Sequence, residues 1–122
     1  MRPAVLAIAL AVLIPSAVAA VRWWPRPQPA LADAAARLAS CLKRQGVVMY
    51  GADWCSHCAR QKQMFGAAFA DVPYVECPQQ PQRCLQAKID GYPTWTFPSG
   101  RRLTGEQSLP ALAEASGCSL TP

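Results

Sequence analysis

The chain has 122 residues, a net charge of +5 and six cysteines. This length accommodates one domain, and basic residues that are scattered rather than clustered argue against nucleic-acid binding. Six cysteines in so short a chain are unusual in a reducing cytosol and indicate an exported domain that disulfides reinforce.

The N-terminal residues 1–20 are predicted to be a targeting segment. A long apolar run follows Arg2 and ends in PSAVAA, a pattern of small residues that signal peptidase accepts. The uncharged run at residues 3–21 is also close to the roughly 20 residues that a membrane-spanning helix needs. A retained membrane anchor is therefore the alternative to a cleaved signal peptide, and both deliver the domain across a membrane.

Residues 21–30 are predicted to form a stiff spacer. Prolines at positions 25, 27 and 29 exclude a helix and favour extended polyproline II. The folded domain is then expected over residues 31–122.

Helix and strand signals alternate in the first half of this domain. ALADAAARLASCLKRQG predicts a helix whose buried stripe includes Leu31 and which stops at Gly46. VVMYGA is an apolar run typical of a buried strand. A second helix is predicted from Ser56 to Ala70, with Met64 among its buried side chains, and VPYVEC is predicted to be the next strand.

The second half contains three further kinds of signal. A short helix is predicted near residues 82–88, and GYPTWTFPSGRRLTG predicts two strands joined by a turn at residues 98–100. SLPALAEASG predicts a last helix that Ser108 caps and Gly117 ends. The predicted order is αβαβαββα.

Cys55 and Cys58 lie at the junction of the first strand and the second helix, with two residues between them. Unpaired N–H groups and the dipole at a helix N-terminus favour an anion, so Cys55 is predicted to be the attacking thiolate. Cys58, one turn further on, is predicted to be less exposed and to act as the resolving cysteine.

Haem attachment, zinc binding and a structural disulfide are the alternatives to a redox role for this cysteine pair. Covalent haem attachment needs a histidine directly after the second cysteine, where this chain has Ala59. Zinc held by Cys55, Cys58 and a second cysteine pair is disfavoured, because six residues separate Cys77 from Cys84. A non-enzymatic binding module with a structural disulfide stays open as an alternative of a different class.

The motifs YGADWCSHCARQKQMFG, YVEC and GYPTW, in this order, resemble a known family. They are similar to the thioredoxin-like domain fused to bacterial vitamin K epoxide reductase homologues, over residues 31–118. The resemblance implies a thioredoxin fold, an α/β architecture in which helices flank a central mixed four-stranded sheet. It places Trp54, Tyr92 and Pro93 at the substrate-binding site, with Trp54 packed beside the cysteines and the Tyr92–Pro93 bond cis.

The activity implied by the resemblance is thiol:disulfide exchange with reduced client proteins. The pair would be reoxidised by a quinone-linked membrane enzyme of the vitamin K epoxide reductase type, with no metal or organic cofactor in this chain. The expected location is the periplasm or the thylakoid lumen, with the domain soluble or attached to the membrane through residues 3–21. A disulfide isomerase or reductase is the alternative within the same fold.

His57 determines the predicted direction of electron flow. By donating a hydrogen bond or positive charge to the Cys55 thiolate, it would stabilise the reduced pair and make the disulfide an oxidant. Ordinary thioredoxins carry a buried acid six residues before the first cysteine, where this chain has Met49, so a carboxylate that assists the second thiol is expected to be missing. The alternative is a solvated surface histidine without effect on sulfur.

The other four cysteines are predicted to form two structural disulfides. Cys77 and Cys84 match cysteines of the resembled family, which implies a local bond; a redox relay is the alternative. Cys41 and Cys118 are additions to the family pattern. The predicted order of elements brings the ends of the first and last helices to the pole opposite the active site, so a bond between these two is expected, with two free thiols as the alternative.

Overall fold

A computed structural model describes residues 28–122. The predicted signal peptide or anchor at residues 1–20 and most of the predicted spacer lie outside the described residues. Within residues 28–122, no helix has the length and apolar character needed to cross a membrane.

The helices and strands follow the predicted order αβαβαββα, with one 3₁₀ helix added. They are α1 Pro29–Arg44, β1 Val48–Gly51, α2 Ser56–Phe65, the 3₁₀ helix Gly66–Asp71, β2 Tyr74–Glu76, α3 Pro81–Gln86, β3 Thr94–Thr96, β4 Arg102–Thr104 and α4 Leu109–Ser116. The start of α1 at Pro29 lies inside the predicted spacer. Proline is tolerated there because the first N–H groups of a helix have no partner within it.

The second helix ends earlier than predicted. Gly66 has a φ of 56°, a left-handed conformation that glycine adopts without steric cost, and the chain continues as the 3₁₀ helix. Met64, in the last turn of α2, is 40% exposed, and Leu31 is 67% exposed in the first turn of α1. Both were predicted to be buried, but they border a surface groove between α1 and α2.

The four strands form one mixed sheet with the order β2-β1-β3-β4. β1 pairs with β2 in parallel and with β3 in antiparallel fashion, and β4 is antiparallel to β3. β1 and β4 therefore run in the same direction, towards the start of α2, as predicted. This mixed sheet flanked by helices is a thioredoxin-like fold.

One cluster of buried side chains joins the sheet to α1, α2 and α4. Its members include Leu38, Leu42, Met49, Phe65, Trp95, Phe97 and Leu112. Trp95 is fully buried, as expected for a packing residue without a catalytic task. The core thus holds α2 against the sheet and fixes the position of its first turn.

Both predicted disulfides are present. Cys41 and Cys118 are bonded with 6.0 Å between their Cα atoms, and they join α1 to the residue that follows the α4 cap, Gly117. Cys77 and Cys84 are bonded with a Cα separation of 5.7 Å and close the loop between β2 and α3. The bond between Cys77 and Cys84 removes two of the thiolates that a four-cysteine zinc site would need.

Candidate active site

Cys55 is the N-cap residue of α2. Its extended backbone precedes the first helical turn, and its sulfur accepts a hydrogen bond from the backbone N–H of Cys58 at 3.3 Å. Cys55 is 7% exposed and Cys58 is 1% exposed, which confirms the predicted difference in access. Within residues 28–122, these two are the cysteines that carry no disulfide bond.

The environment of Cys58 favours the neutral thiol. Burial and a hydrogen bond to Cys55 raise its pKa from 9.0 to about 12. Because Cys58 holds its proton at neutral pH while Cys55 receives a helix N–H, Cys55 is the sulfur suited to attack. The attacking and resolving roles of the two cysteines stay predictions, with which this difference in exposure and protonation agrees.

The backbone of Tyr92, directly before Pro93, lies against the sulfur of Cys55. The Tyr92–Pro93 peptide bond is cis, as the family resemblance implied. The thiol of Cys55 contacts the carbonyl oxygen of Tyr92 at 3.8 Å, and Pro93, the next residue, is fully buried. The backbone before Pro93 is therefore adjacent to the position that a bound partner sulfur would occupy.

Trp54 differs from the prediction that it packs beside the cysteines. Its ring contacts that of Tyr92 edge to face, with 5.8 Å between centroids, but 72% of the residue is exposed. The side chain precedes the helix in the loop after β1, where it projects over Tyr92. The exposed ring of Trp54 leaves an apolar surface in the residue directly before Cys55.

His57 lies in an exposed charged cluster with Arg60 and Glu106. Its Nδ1 is 2.6 Å from the Glu106 carboxylate and 2.7 Å from the Arg60 guanidinium, which also donates to Glu106 at 2.7 Å. The Nδ1 atom donates to Glu106 when it carries a hydrogen and accepts from Arg60 when it does not. Hydrogen bonds from Arg60 and His57 lower the pKa of Glu106 below its usual value, so the carboxylate is ionised.

This arrangement changes the expected role of His57. Among the described residues, the sulfur of Cys55 has hydrogen-bond contacts with Cys58 and Tyr92, and none with the histidine ring. The hydrogen bond predicted from His57 to the thiolate is therefore not formed, because the ring is held by Glu106. An effect of its charge on Cys55 stays a prediction.

Gln61 is a buried polar residue that the sequence analysis did not identify. Its Oε1 accepts hydrogen bonds from the Gln107 backbone N–H at 2.7 Å and from the Trp95 indole at 3.3 Å, and its Nε2 donates to the Gln107 carbonyl at 2.9 Å. These bonds attach the loop after β4 to α2. They thereby hold Glu106 beside His57.

Tyr74 and Glu76 form a second group that the sequence analysis missed. The Tyr74 hydroxyl donates to one carboxylate oxygen of Glu76, and the other oxygen accepts from the Asp53 backbone N–H at 2.8 Å. Glu76 is 9% exposed. A side chain at Gly51 would meet the sulfur of Cys58 at 2.9 Å and the Tyr74 hydroxyl at 3.1 Å, so both atoms lie over the same glycine.

A metal centre is not indicated by the described part of the chain. Within residues 28–122, no three His, Cys, Asp or Glu side chains converge in a way that would hold a metal ion.

Two curated proteins are similar to this chain. Thiol-disulfide oxidoreductase LTO1 of Arabidopsis thaliana is 45% identical over 92 residues, which cover 68% of this chain and 24% of that protein. Protein disulfide isomerase-like 2-2 of Oryza sativa subsp. japonica is 33% identical over 85 residues, which cover 58% of this chain and 23% of that protein.

The chain spans about a quarter of the length of these relatives. No protein-family profile matches it. The mixed sheet, the cysteine pair at the start of α2 and the two similarities identify the chain as a member of the thioredoxin-like superfamily.

Proposed function

We propose that the chain is a thiol:disulfide oxidoreductase that donates disulfides to client proteins. The observation that carries this proposal is the asymmetry of the pair, with Cys55 at the helix N-cap and Cys58 as a buried neutral thiol. The names of the two relatives support the same class of reaction.

Transfer of a disulfide takes two exchange steps. A client thiolate attacks the Cys55 sulfur of the disulfide form, the Cys55–Cys58 bond breaks, and Cys58 leaves with the electron pair and takes up a proton. A second client thiolate then attacks the client sulfur of the mixed disulfide and releases the Cys55 thiolate. The client loses two electrons and gains a disulfide, and the pair is left as a dithiol.

We further propose that the domain works outside the cytosol and is reoxidised by a quinone-linked membrane enzyme of the vitamin K epoxide reductase type. The predicted export segment and the motif resemblance support this proposal. The test is to mix the reduced domain with membranes containing such an enzyme and a quinone, and to follow thiol loss. Absence of quinone-dependent thiol loss would contradict the proposed partnership.

An equilibrium redox titration tests the proposed activity. We expect a potential well above the roughly −300 mV typical of structural disulfides, because the helix N-terminus stabilises the reduced pair. The titration is made in glutathione buffers, with the fraction of dithiol determined by alkylation. A potential near that of a structural disulfide would instead favour a binding module, and one near the roughly −270 mV of thioredoxin would favour a reductase.

Opposite shifts of this potential are expected for two variants of the charged cluster. His57→Ala removes a side chain that can carry positive charge near Cys55, which disfavours the thiolate and lowers the potential; Glu106→Gln removes the negative charge that lies against His57 and Arg60 and raises the potential. Each shift is expected to be on the order of 30 mV, a tenfold change in the exchange equilibrium. Glu114→Gln, at an exposed position of α4, is the matched control. Unchanged potentials in both variants would remove the cluster from the mechanism.

The Cys77–Cys84 bond is expected to be structural. Both cysteines are buried, and the bond closes a loop of only seven positions that Pro78 and Pro81 already stiffen. The double variant Cys77→Ser, Cys84→Ser should therefore retain client oxidation, measured as the refolding rate of a reduced test protein. Loss of turnover in a variant with an unchanged circular dichroism spectrum would indicate a relay instead.

A further inference from the structure

Gln61 is a fully buried polar side chain, one helical turn after Cys58 on α2. Its amide oxygen accepts from the Gln107 N–H and the Trp95 indole, and its nitrogen donates to the Gln107 carbonyl and, at 3.6 Å, to the sulfur of Met64. Both N–H donors and both acceptor positions of the amide are therefore used. A buried amide that is bonded so completely fixes the position of its partners, because each lost bond would leave a polar group unpaired in the core.

The loop between β4 and α4 is attached to the rest of the domain at both of its ends. At its start, the Gly105 N–H donates to the Pro93 carbonyl at 2.8 Å. At its end, Gln107 is bonded to the Gln61 side chain through both of its backbone groups. Glu106 lies between these two attachments, where its carboxylate reaches the charged cluster at the start of α2.

The surface contacts of Glu106 would not hold this loop by themselves. The side chains of His57 and Arg60 are 61% and 50% exposed, and exposed ion pairs contribute little to stability because water and salt screen them. The bonds of Gln61 lie in the core, where their loss would leave the backbone groups of Gln107 without partners. The position of the Glu106 carboxylate is therefore determined from the inside of the domain, by Gln61.

We propose that Gln61 is a positioning residue that adjusts the redox potential of the Cys55/Cys58 pair by holding the Glu106 carboxylate against the charged cluster. The inference rests on the proposed function and deepens it, because it names a residue through which the fold controls the strength of the oxidant. In the part of the chain that the structure describes, no hydrogen bond joins Gln61 to either thiol, so its effect passes through the loop.

The direction of the effect follows from the place of the charge. When the pair is reduced, Cys55 is the sulfur that the start of α2 stabilises as a thiolate. His57 is in the first turn of this helix, so a carboxylate held against it brings negative charge towards the thiolate and disfavours the reduced pair. Release of Glu106 into solvent should therefore favour the reduced pair and make the disulfide a stronger oxidant.

The test is a double-mutant cycle on the redox potential, measured in glutathione buffers at pH 7. Gln61→Met keeps an unbranched side chain in the core but has neither the N–H donors nor the amide oxygen. The substitution is made in the wild-type protein and in Glu106→Gln, and Gln63→Met, at an exposed position of the same helix, is the matched control. If circular dichroism shows Gln61→Met to be unfolded, Gln61→Asn replaces it in the same cycle, because the shorter amide cannot keep every bond.

We expect the Gln61 substitution to increase the equilibrium constant for reduction of the pair about three- to tenfold, where tenfold corresponds to about 30 mV and to complete loss of the Glu106 charge. In the Glu106→Gln protein the same substitution should leave the constant unchanged, since no carboxylate remains to be positioned. Gln63→Met should have the potential of its parent protein in both backgrounds. The bond from Gly105 to Pro93 is untouched in each variant, so the loop should move without unfolding.

Two results would overturn the inference. One is an unchanged potential after substitution of Gln61; the other is an equal shift with and without the Glu106 carboxylate, which would indicate that the substitution acts on the thiols through altered packing. Failure of the proposed function is distinguishable, because it is measured by the potential of the wild-type protein alone. The inference is measured by the differences among the four proteins of the cycle.

Discussion

Cys58→Ser is expected to abolish turnover and to trap the protein as a mixed disulfide, whereas Cys55→Ser abolishes turnover without trapping. In the first variant Cys55 still has its place at the N-cap of α2 and attacks a partner disulfide. The serine hydroxyl cannot displace the partner, so the covalent complex accumulates. In the second variant the remaining sulfur is buried and protonated, and attack from outside is blocked.

Both variants can be compared with a disulfide-linked peptide as substrate. Mass spectrometry under non-reducing conditions should show half of the peptide attached to Cys58→Ser, with release by dithiothreitol, and no adduct on Cys55→Ser. Oxidative refolding of a reduced test protein should fall to the uncatalysed rate in both. Adduct formation at Cys58 in the second variant would reverse the assigned roles of the two cysteines.

Removal of the Cys41–Cys118 bond is expected to lower the free energy of unfolding by about 4 kcal/mol. The bond joins residues 77 positions apart, and in the chain-entropy model its loss frees a long loop in the unfolded state. Domains of this kind are stable by only about 5–15 kcal/mol in total, so the double variant Cys41→Ser, Cys118→Ser should lose a large fraction of its stability.

Urea denaturation followed by tryptophan fluorescence measures this effect, with Ser40→Ala as a control at a neighbouring position of α1. The redox potential of the Cys55/Cys58 pair should be unchanged wherever the double variant is folded, because the bond joins the helix ends that are opposite the active site. If the free energy of unfolding falls by less than about 1 kcal/mol, removal of the Cys41–Cys118 bond gives the unfolded chain little additional freedom.

The order of elements and both disulfides were predictable from the sequence. Local signals carry this information: Ser108 accepts from the Ala111 N–H as a cap should, and Gly117 has a left-handed conformation at the helix end. The order of elements also determines the direction of each strand. Those directions place the ends of α1 and α4 at the same pole of the domain, which brings Cys41 near Cys118. Family motifs supplied the cis bond before Pro93.

The polar surroundings of the thiols were not predictable in the same way. Arg60 is three residues after His57, a helical spacing that the sequence shows, but Glu106 comes from a loop 46 positions beyond Arg60, and its approach depends on tertiary packing. Tyr74 and Glu76 are two positions apart on β2 and so share a face of the sheet. The sequence therefore shows that the two side chains share a face, but nothing local shows which face is directed towards Cys58.

The hydrogen bonds of Gln61 limit how this cysteine motif can be grafted onto another protein scaffold. The segment from Trp54 to Phe65 carries both thiols, His57 and Arg60, but it obtains Glu106 only through the bonds between Gln61 and the Gln107 backbone. On a foreign scaffold the Gln61 amide would be left in the core without partners, at a cost of about 1–3 kcal/mol for each unsatisfied group. The smallest segment that could be transplanted with these contacts is therefore α2 together with the loop at residues 105–107. A graft of the cysteine motif alone would lack the Glu106 carboxylate that contacts His57 and Arg60.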